Sequence, residues 1–165
     1  MSQLTTGRQR GGAAAVEFAF VFAFVLLPIL IGLWELARLW ELQQLGTLAA
    51  NHGARLASMG LMTNTQVQNS VRNYLASLTQ YGFGSAVATS ANIIVTNSTY
   101  DLRDASSAMH LDRFDVTVQL RWGDARWSPI NFLLSDDTYI SSSATFYSCR
   151  NSPISGTSYA QIPWP

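Results

Sequence analysis

Between Ala13 and Trp34 the chain runs for 22 residues with one charged side chain, Glu17. As a helix such a run is about 33 Å long, enough to cross a hydrocarbon layer of about 30 Å. Phe18, Phe20, Phe22 and Phe24 alternate, but the run is far too long for one strand. A helix buried in a soluble core keeps a polar face, and this run has none, so it reads as a membrane span. Arg8 and Arg10 flank it on the N-terminal side, while Glu35, Arg38 and Glu41 nearly cancel on the other. That bias puts residues 1–12 in the cytoplasm and the C-terminal mass outside. A removable secretory signal fits less well: the apolar stretch is too long, and Trp34-Glu35-Leu36 offers no small-residue cleavage site.

Composition narrows the remainder. Charged residues are 12 % of the 165, and ten arginines with no lysine balance ten acids. No basic surface for nucleic acid is available, and 48 % apolar content excludes a disordered chain. One cysteine, Cys149, rules out an intramolecular disulfide framework and a multi-cysteine zinc site.

Glu17 is the anomaly inside the span. A carboxylate at full bilayer depth costs about 2–3 kcal/mol and asks for a partner. The nearest cation in sequence, Arg10, is seven residues away and outside the run. A new α-amino group would lie at the right depth if the chain were cut between Gly12 and Ala13, leaving Glu17 as the fifth residue. The other reading is an uncut anchor in which Glu17 is neutralised by a proton near the interface.

The order of a short basic leader, Gly11-Gly12, Ala13-Ala14-Ala15-Val16, Glu17-Phe18 and a long apolar helix resembles the leader of type IV pilins and pseudopilins. Within that class, Arg10-Gly11-Gly12-Ala13-Ala14-Ala15-Val16-Glu17-Phe18-Ala19 is similar to the opening of TadE-like minor pseudopilins of tight-adherence (Flp) pili. Pro28 matches a proline frequent in that family's span. Gly32-Leu33-Trp34-Glu35-Leu36-Ala37-Arg38 resembles its Gly-x-x-Glu-Phe-x-Arg stretch, with Leu36 replacing an aromatic. Ala49-Ala50-Asn51-His52-Gly53-Ala54-Arg55 resembles its Ala-Ala-Arg-Glu-Gly-Ala-Arg, with Asn51-His52 replacing Arg-Glu.

The resemblance covers residues 8–58. It implies a pilin-like α+β fold, cleavage by a prepilin peptidase, pairing of Glu17 with a neighbouring subunit's amine, and partners among other minor pseudopilins and pilus subunits. It also implies a bacterial inner-membrane protein with a periplasmic domain, with a place in the pilus or at its tip. No enzyme activity, cofactor or nucleic-acid partner is expected. The alternative is an unprocessed single-pass membrane protein with a periplasmic binding domain.

Beyond Trp34, apolar residues at Leu36, Leu39, Leu42, Leu45, Leu48, Ala49, Leu56 and Met59 recur at helical spacing. One helix from Ala13 to Ser58 is expected, ended by Gly60. The division is then a leader (1–12), a span (13–34), an amphipathic extension (35–59) and a globular domain (60–165). Pro28 removes a helix hydrogen bond and should bend the span. Leu39, Leu42, Leu45 and Leu48 exceed what a small sheet covers and are candidates for helix association. Gly46 and Gly53, seven apart, allow close helix approach or local flexibility.

A second helix is expected at Gln66–Gln80, capped by Asn64 or Thr65, with Val67, Val71, Tyr74, Leu75 and Leu78 inward and Gly82 and Gly84 ending it. Period-two patterning then predicts strands at 91–97, Phe114–Trp122 and Thr138–Ser148. Gly123-Asp124 suggests a hairpin returning through Ala125–Trp127 and stopped by Pro129. The proline-rich tail, Pro153–Pro165, reads as extended.

Catalytic signals are weak. His52 and His110 lie 58 residues apart, and Asp101, Asp104, Asp112 and Asp115 near His110 lack both a nucleophile motif and the spacing of a calcium loop. They read as a solvated loop paired with Arg103 and Arg113. Cys149 reads as a small buried residue. Asn97-Ser98-Thr99 reads as polarity at a strand end.

Overall fold

The computed structural model describes residues 8–80, 82–99, 103–125 and 134–149. Its backbone is helical without a break from Arg8 to Ser58. The segments are α1 (Arg8–Val21), five π-helical residues (Phe22–Leu26) and α2 (Leu27–Ser58). Gly60, in the left-handed region at φ 66°, closes the end by donating its N–H to Ala57 O at 3.1 Å.

Two small-to-medium stripes decide how the rest packs. On α2 the buried residues are Leu42, Gly46, Ala49, Ala50, Gly53, Ala54 and Ala57, spaced by threes and fours on one face. On α3 (Asn64–Thr79) they are Val67, Val71, Leu75 and Thr79. Tyr74 and Leu78, expected inward, are only half-buried. The α3 cap is Thr63 rather than Asn64 or Thr65. Its hydroxyl accepts from Gln66 N and the Gln66 side chain accepts from Thr63 N, a reciprocal pair that one residue further on could not form. Asn64 acts elsewhere: its side chain accepts from Ala105 N (3.0 Å) while Asp104 accepts from Asn64 N (2.5 Å). This ties the start of α3 to the 3₁₀ turn at Ala105–Ser107.

A short helix that the sequence reading does not contain, α4 (Ser85–Ser90), follows Gly84, whose φ is 79°. It buries Val87 and Ala88.

The strands β1 (Asn92–Asn97), β2 (Arg113–Arg121) and β3 (Tyr139–Tyr147) form one antiparallel sheet with β2 in the centre. The registers Val95↔Val116↔Ala144 and Ile93↔Val118↔Ser142 line up the inner face, which α2 and α3 cover. The registers Thr96↔Asp115↔Thr145 and Ile94↔Thr117↔Ser143 line up the outer face. A long apolar helix continuing into a second helix and a three-stranded sheet is the α+β architecture that the periodicities predict.

The expected hairpin at Gly123-Asp124 is not formed. Residues Trp122–Ala125 make a helical turn, and β2 pairs over nine residues with β3 instead. Trp122 explains the change: its side chain is buried, and curling inward keeps it in the core. Gly123 is needed for another reason, since a Cβ there would sit 2.8 Å from Asp136 O, the carbonyl that accepts from Gly123 N. A return strand stopped by Pro129 could match only a few of the nine ladder positions that β3 fills. Trp127, Pro129 and the tail Pro153–Pro165 lie outside the described residues. Cys149 is exposed rather than buried, because its backbone is tied to the end of α2 (N–H to Ser58 O, 3.1 Å) beyond the last core position of β3.

The loop acids do pair with Arg103 and Arg113, at 3.6 Å to Asp112 and 3.4 Å to Asp115. Asp112 is nonetheless buried rather than solvated. It accepts from Met109 N (2.9 Å) and Asn97 Nδ2 (3.3 Å), and so knots the end of β1 to the start of β2. Asp101 lies outside the described residues.

Two predictions follow from this packing. A Cβ at Gly53 would meet Val71 Cγ2 at 2.6 Å and Val116 Cγ1 at 3.0 Å, both on stiff β-branched side chains. At Gly46 it would meet the Ser142 hydroxyl at 2.8 Å, which can turn away. Alanine gains up to about 1 kcal/mol of helix propensity at either site. Gly53→Ala should therefore lose up to about 2 kcal/mol net, overpacking outweighing propensity, and Gly46→Ala should change stability little, by thermal denaturation in detergent. The second concerns Asp115. Burial alone would raise its carboxyl, but hydrogen bonds from the Ser98 and Thr145 hydroxyls and the Arg113 guanidinium outweigh burial and hold it below the usual carboxylate value. This stabilisation is fully present above about pH 4 and is lost as pH falls through the lower folded value. The side chain is partly exposed, so Asp115→Asn should cost under about 1 kcal/mol at neutral pH and make the acid side of the stability curve shallower.

Candidate functional site

The residues that the sequence singles out separate into two groups along the helix. Gly12, Ala13, Glu17 and Phe18 lie on α1, in a segment that no other part of the described chain covers. Phe18 lies 6.4 Å from Phe22 and Phe20 lies 4.5 Å from Phe24, ring centre to ring centre, so the aromatic side chains pack only along their own helix. Gly12 has open space around its Cα. The segment Gly12–Ser58 is long and apolar enough to cross a membrane, and it fits a single-pass membrane protein.

Pro28 sits two residues after the π-helical turn. There Leu27 N–H bonds to Phe22 O, five residues back instead of four. Pro28 has no N–H to offer the carbonyls one turn earlier, and the wider turn is where the helix absorbs that loss.

The other group belongs to the domain. Leu42, Gly46 and Gly53 are buried in the core, and Leu39 and Leu45 are half-buried against it. Gly46 and Gly53 are thus contact points with the chain's own β3, β2 and α3. Of the four leucines read as a helix-association face, Leu42 is buried in the core, Leu39 packs on it, Leu45 is half-buried and Leu48 is exposed. The outward face carries Leu48 together with Leu33, Leu36, Ala37 and Trp40.

Sequence reasoning counted Glu35, Arg38 and Glu41 as charges that cancel, and missed what they hold. Glu35 is 7 % exposed. The Arg38 guanidinium pairs with Glu41 (2.9 Å), donates to Gly82 O (2.7 Å) and lies 4.1 Å above the Phe83 ring. One arginine thereby fastens the turn between α3 and α4 to α2 at the point where the helix enters the domain. The signal available in the sequence was a lone arginine among apolar residues, 44 positions from a glycine pair.

Among the described residues no three His, Cys, Asp or Glu side chains come together to hold a metal. His52 stacks on Tyr74 at 4.4 Å between α2 and α3, and His110 is exposed. The arrangement is that of a helix long and apolar enough to cross a membrane, carrying a folded head.

The family model described as TadE-like protein matches residues 12–55. The match begins at Gly12 and ends three residues before the end of α2, so it takes in the long helix and none of α3 or the sheet. Residues 12–55 are thus similar to a TadE-like segment. No curated protein and no solved structure matches the chain.

Proposed function

We propose that the chain is a minor pseudopilin of a tight-adherence pilus, matured by a prepilin peptidase between Gly12 and Ala13 and held in the inner membrane by the remaining helix. The domain lies in the periplasm, and the protein assembles with related pseudopilins and pilus subunits. The observation that carries this reading is the bare helix: an apolar segment exposed on all sides, whose lone carboxylate stands five residues from the Gly12–Ala13 bond. A helix with no intramolecular partner has two surroundings open to it, lipid and other helices. Glu17 suits the second, because the α-amino group of a neighbouring matured chain supplies the missing cation.

Cleavage removes twelve of the 165 residues, leaving 153, and takes Arg8 and Arg10 with it, so that eight arginines face ten acids. Intact-mass measurement on protein extracted from membranes with an active prepilin peptidase should show this shorter chain beginning at Ala13. An N-terminus at Met1 or Ser2 would favour the unprocessed single-pass protein instead.

The role of Glu17 is tested separately. Glu17→Ala removes a charge from an apolar helix, so membrane insertion should be at least as efficient as in the parent. The head begins many turns away and should fold normally. Assembly should fail, since a neighbour's amine left unpaired among packed helices costs several kcal/mol, a shift of orders of magnitude in an association equilibrium. Pull-down of pseudopilin partners and a count of pili per cell should both fall in Glu17→Ala and Glu17→Gln. Normal values in both variants would remove Glu17 from the assembly contact.

A further inference from the structure

The side chains that α2 turns outward fix a membrane register that the linear sequence obscures. Read linearly, the apolar run stops at Glu35, and Glu35 and Arg38 mark the start of the water-exposed part. In the folded protein neither presents its charge to the surroundings on that face. Glu35 is buried, and Arg38 is folded back onto Glu41, Gly82 O and the Phe83 ring. The exposed side chains after Glu17 are then apolar without exception as far as Trp40, the last of them being Leu33, Trp34, Leu36, Ala37 and Trp40. Polarity begins abruptly at the next position: Glu41, Gln43, Gln44 and Thr47 are all exposed.

We infer that the bilayer covers Phe18–Trp40, with the base of the domain seated in the headgroup layer and Trp40 at the boundary. The occupant of the outward Leu33–Trp40 face is lipid. Three observations on one helix agree. The surface is continuous with the membrane-spanning segment and shows no polar break before Glu41. Phe18–Trp40 is 23 residues, about 35 Å of helix, enough to cross a hydrocarbon core of about 30 Å. Trp34 and Trp40 are both largely exposed, at 59 % and 66 %, near the end of the stretch, where indole rings settle at the boundary between hydrocarbon and water. This register is displaced by about six residues from one drawn at Ala13–Trp34. It brings Glu17 to the headgroup level on the other side, where a carboxylate costs little.

The inference rests on the single-pass reading alone and is independent of leader cleavage and of assembly. Its test uses the full chain with Cys149→Ser and a single new cysteine at Leu36, Ala37 or Gln44, all exposed positions outside the core. Each variant is reacted with a membrane-impermeant charged maleimide, both in native membranes and after purification into phosphatidylethanolamine–phosphatidylglycerol vesicles. A thiol in lipid neither ionises nor meets the reagent. Leu36→Cys and Ala37→Cys should react at least an order of magnitude more slowly than Gln44→Cys in both settings, and all three equally after SDS. Orientation in the vesicles affects the three sites alike. Reaction at 36 and 37 as fast as at 44 in vesicles would overturn the register. Protection in native membranes that disappears in vesicles would show that a protein covers this face, and would overturn lipid as its occupant.

Discussion

Where α2 passes Ser142 and Val116 it carries no side chain, and the sheet comes closer than van der Waals contact with an added carbon would allow. Gly46 and Gly53 set that separation, and Ala49, Ala50, Ala54 and Ala57 keep it along three turns. The inner face of β3 answers with small residues of its own, Ser142 and Ala144. Close approach lets a three-stranded sheet and one further helix bury the lower half of a very long helix. Leu42, Phe114, Val116, Val118 and Leu120 fill the remaining space. If the helix stood further off, the head would have too little contact to hold it, and membrane anchor and domain would be joined only by a tether.

Because the two are one helix, whatever fixes α2 in the domain also fixes the span. Arg38 is the fastening at the junction, holding the α3–α4 turn against the helix through a carbonyl and an aromatic face while Glu41 on the same helix pairs with its guanidinium. The interaction has a second effect, since it draws a cation away from the outward apolar face of α2. From Ala13 to Leu30 every side chain except that of Pro28 is exposed, and the π turn before Pro28 is a departure from regular helix geometry. A stiff lower half and an uncovered upper half suit a subunit whose helix meets lipid or other helices while its head stays folded.

The long helix was legible in the sequence because its signals are local: an uninterrupted apolar run, then threes and fours, then a glycine with room for a positive φ. The strands at 92–97, 113–121 and 139–147 were legible for the same reason, each by alternation against an inner face. What failed depended on contacts distant in sequence. The hairpin at Gly123-Asp124 looked sound locally, yet Trp122 is drawn into the core and β3 offers a longer ladder. The leucine stripe gave the correct spacing but no means of telling how much of it the domain would cover: Leu42 is buried and Leu48 is exposed. Arg38 and Asp112 read as ordinary charges because the groups they bond lie many residues away or in the backbone. Cys149 read as buried on residue type, and only the end of β3 decides that it is not.

The central claim is that the membrane helix and the core helix of the domain are a single rigid element. Hydrogen exchange on the full chain in lipid vesicles tests it directly. The account predicts that amides of Gly46–Ala57 exchange only with global unfolding, together with those of β2, because they share one core. It also predicts protection continuing without a gap through Leu36–Glu41 into the span. Fast exchange at Leu36–Glu41, with the head still protected, would mean a hinged tether between anchor and domain and would contradict the account.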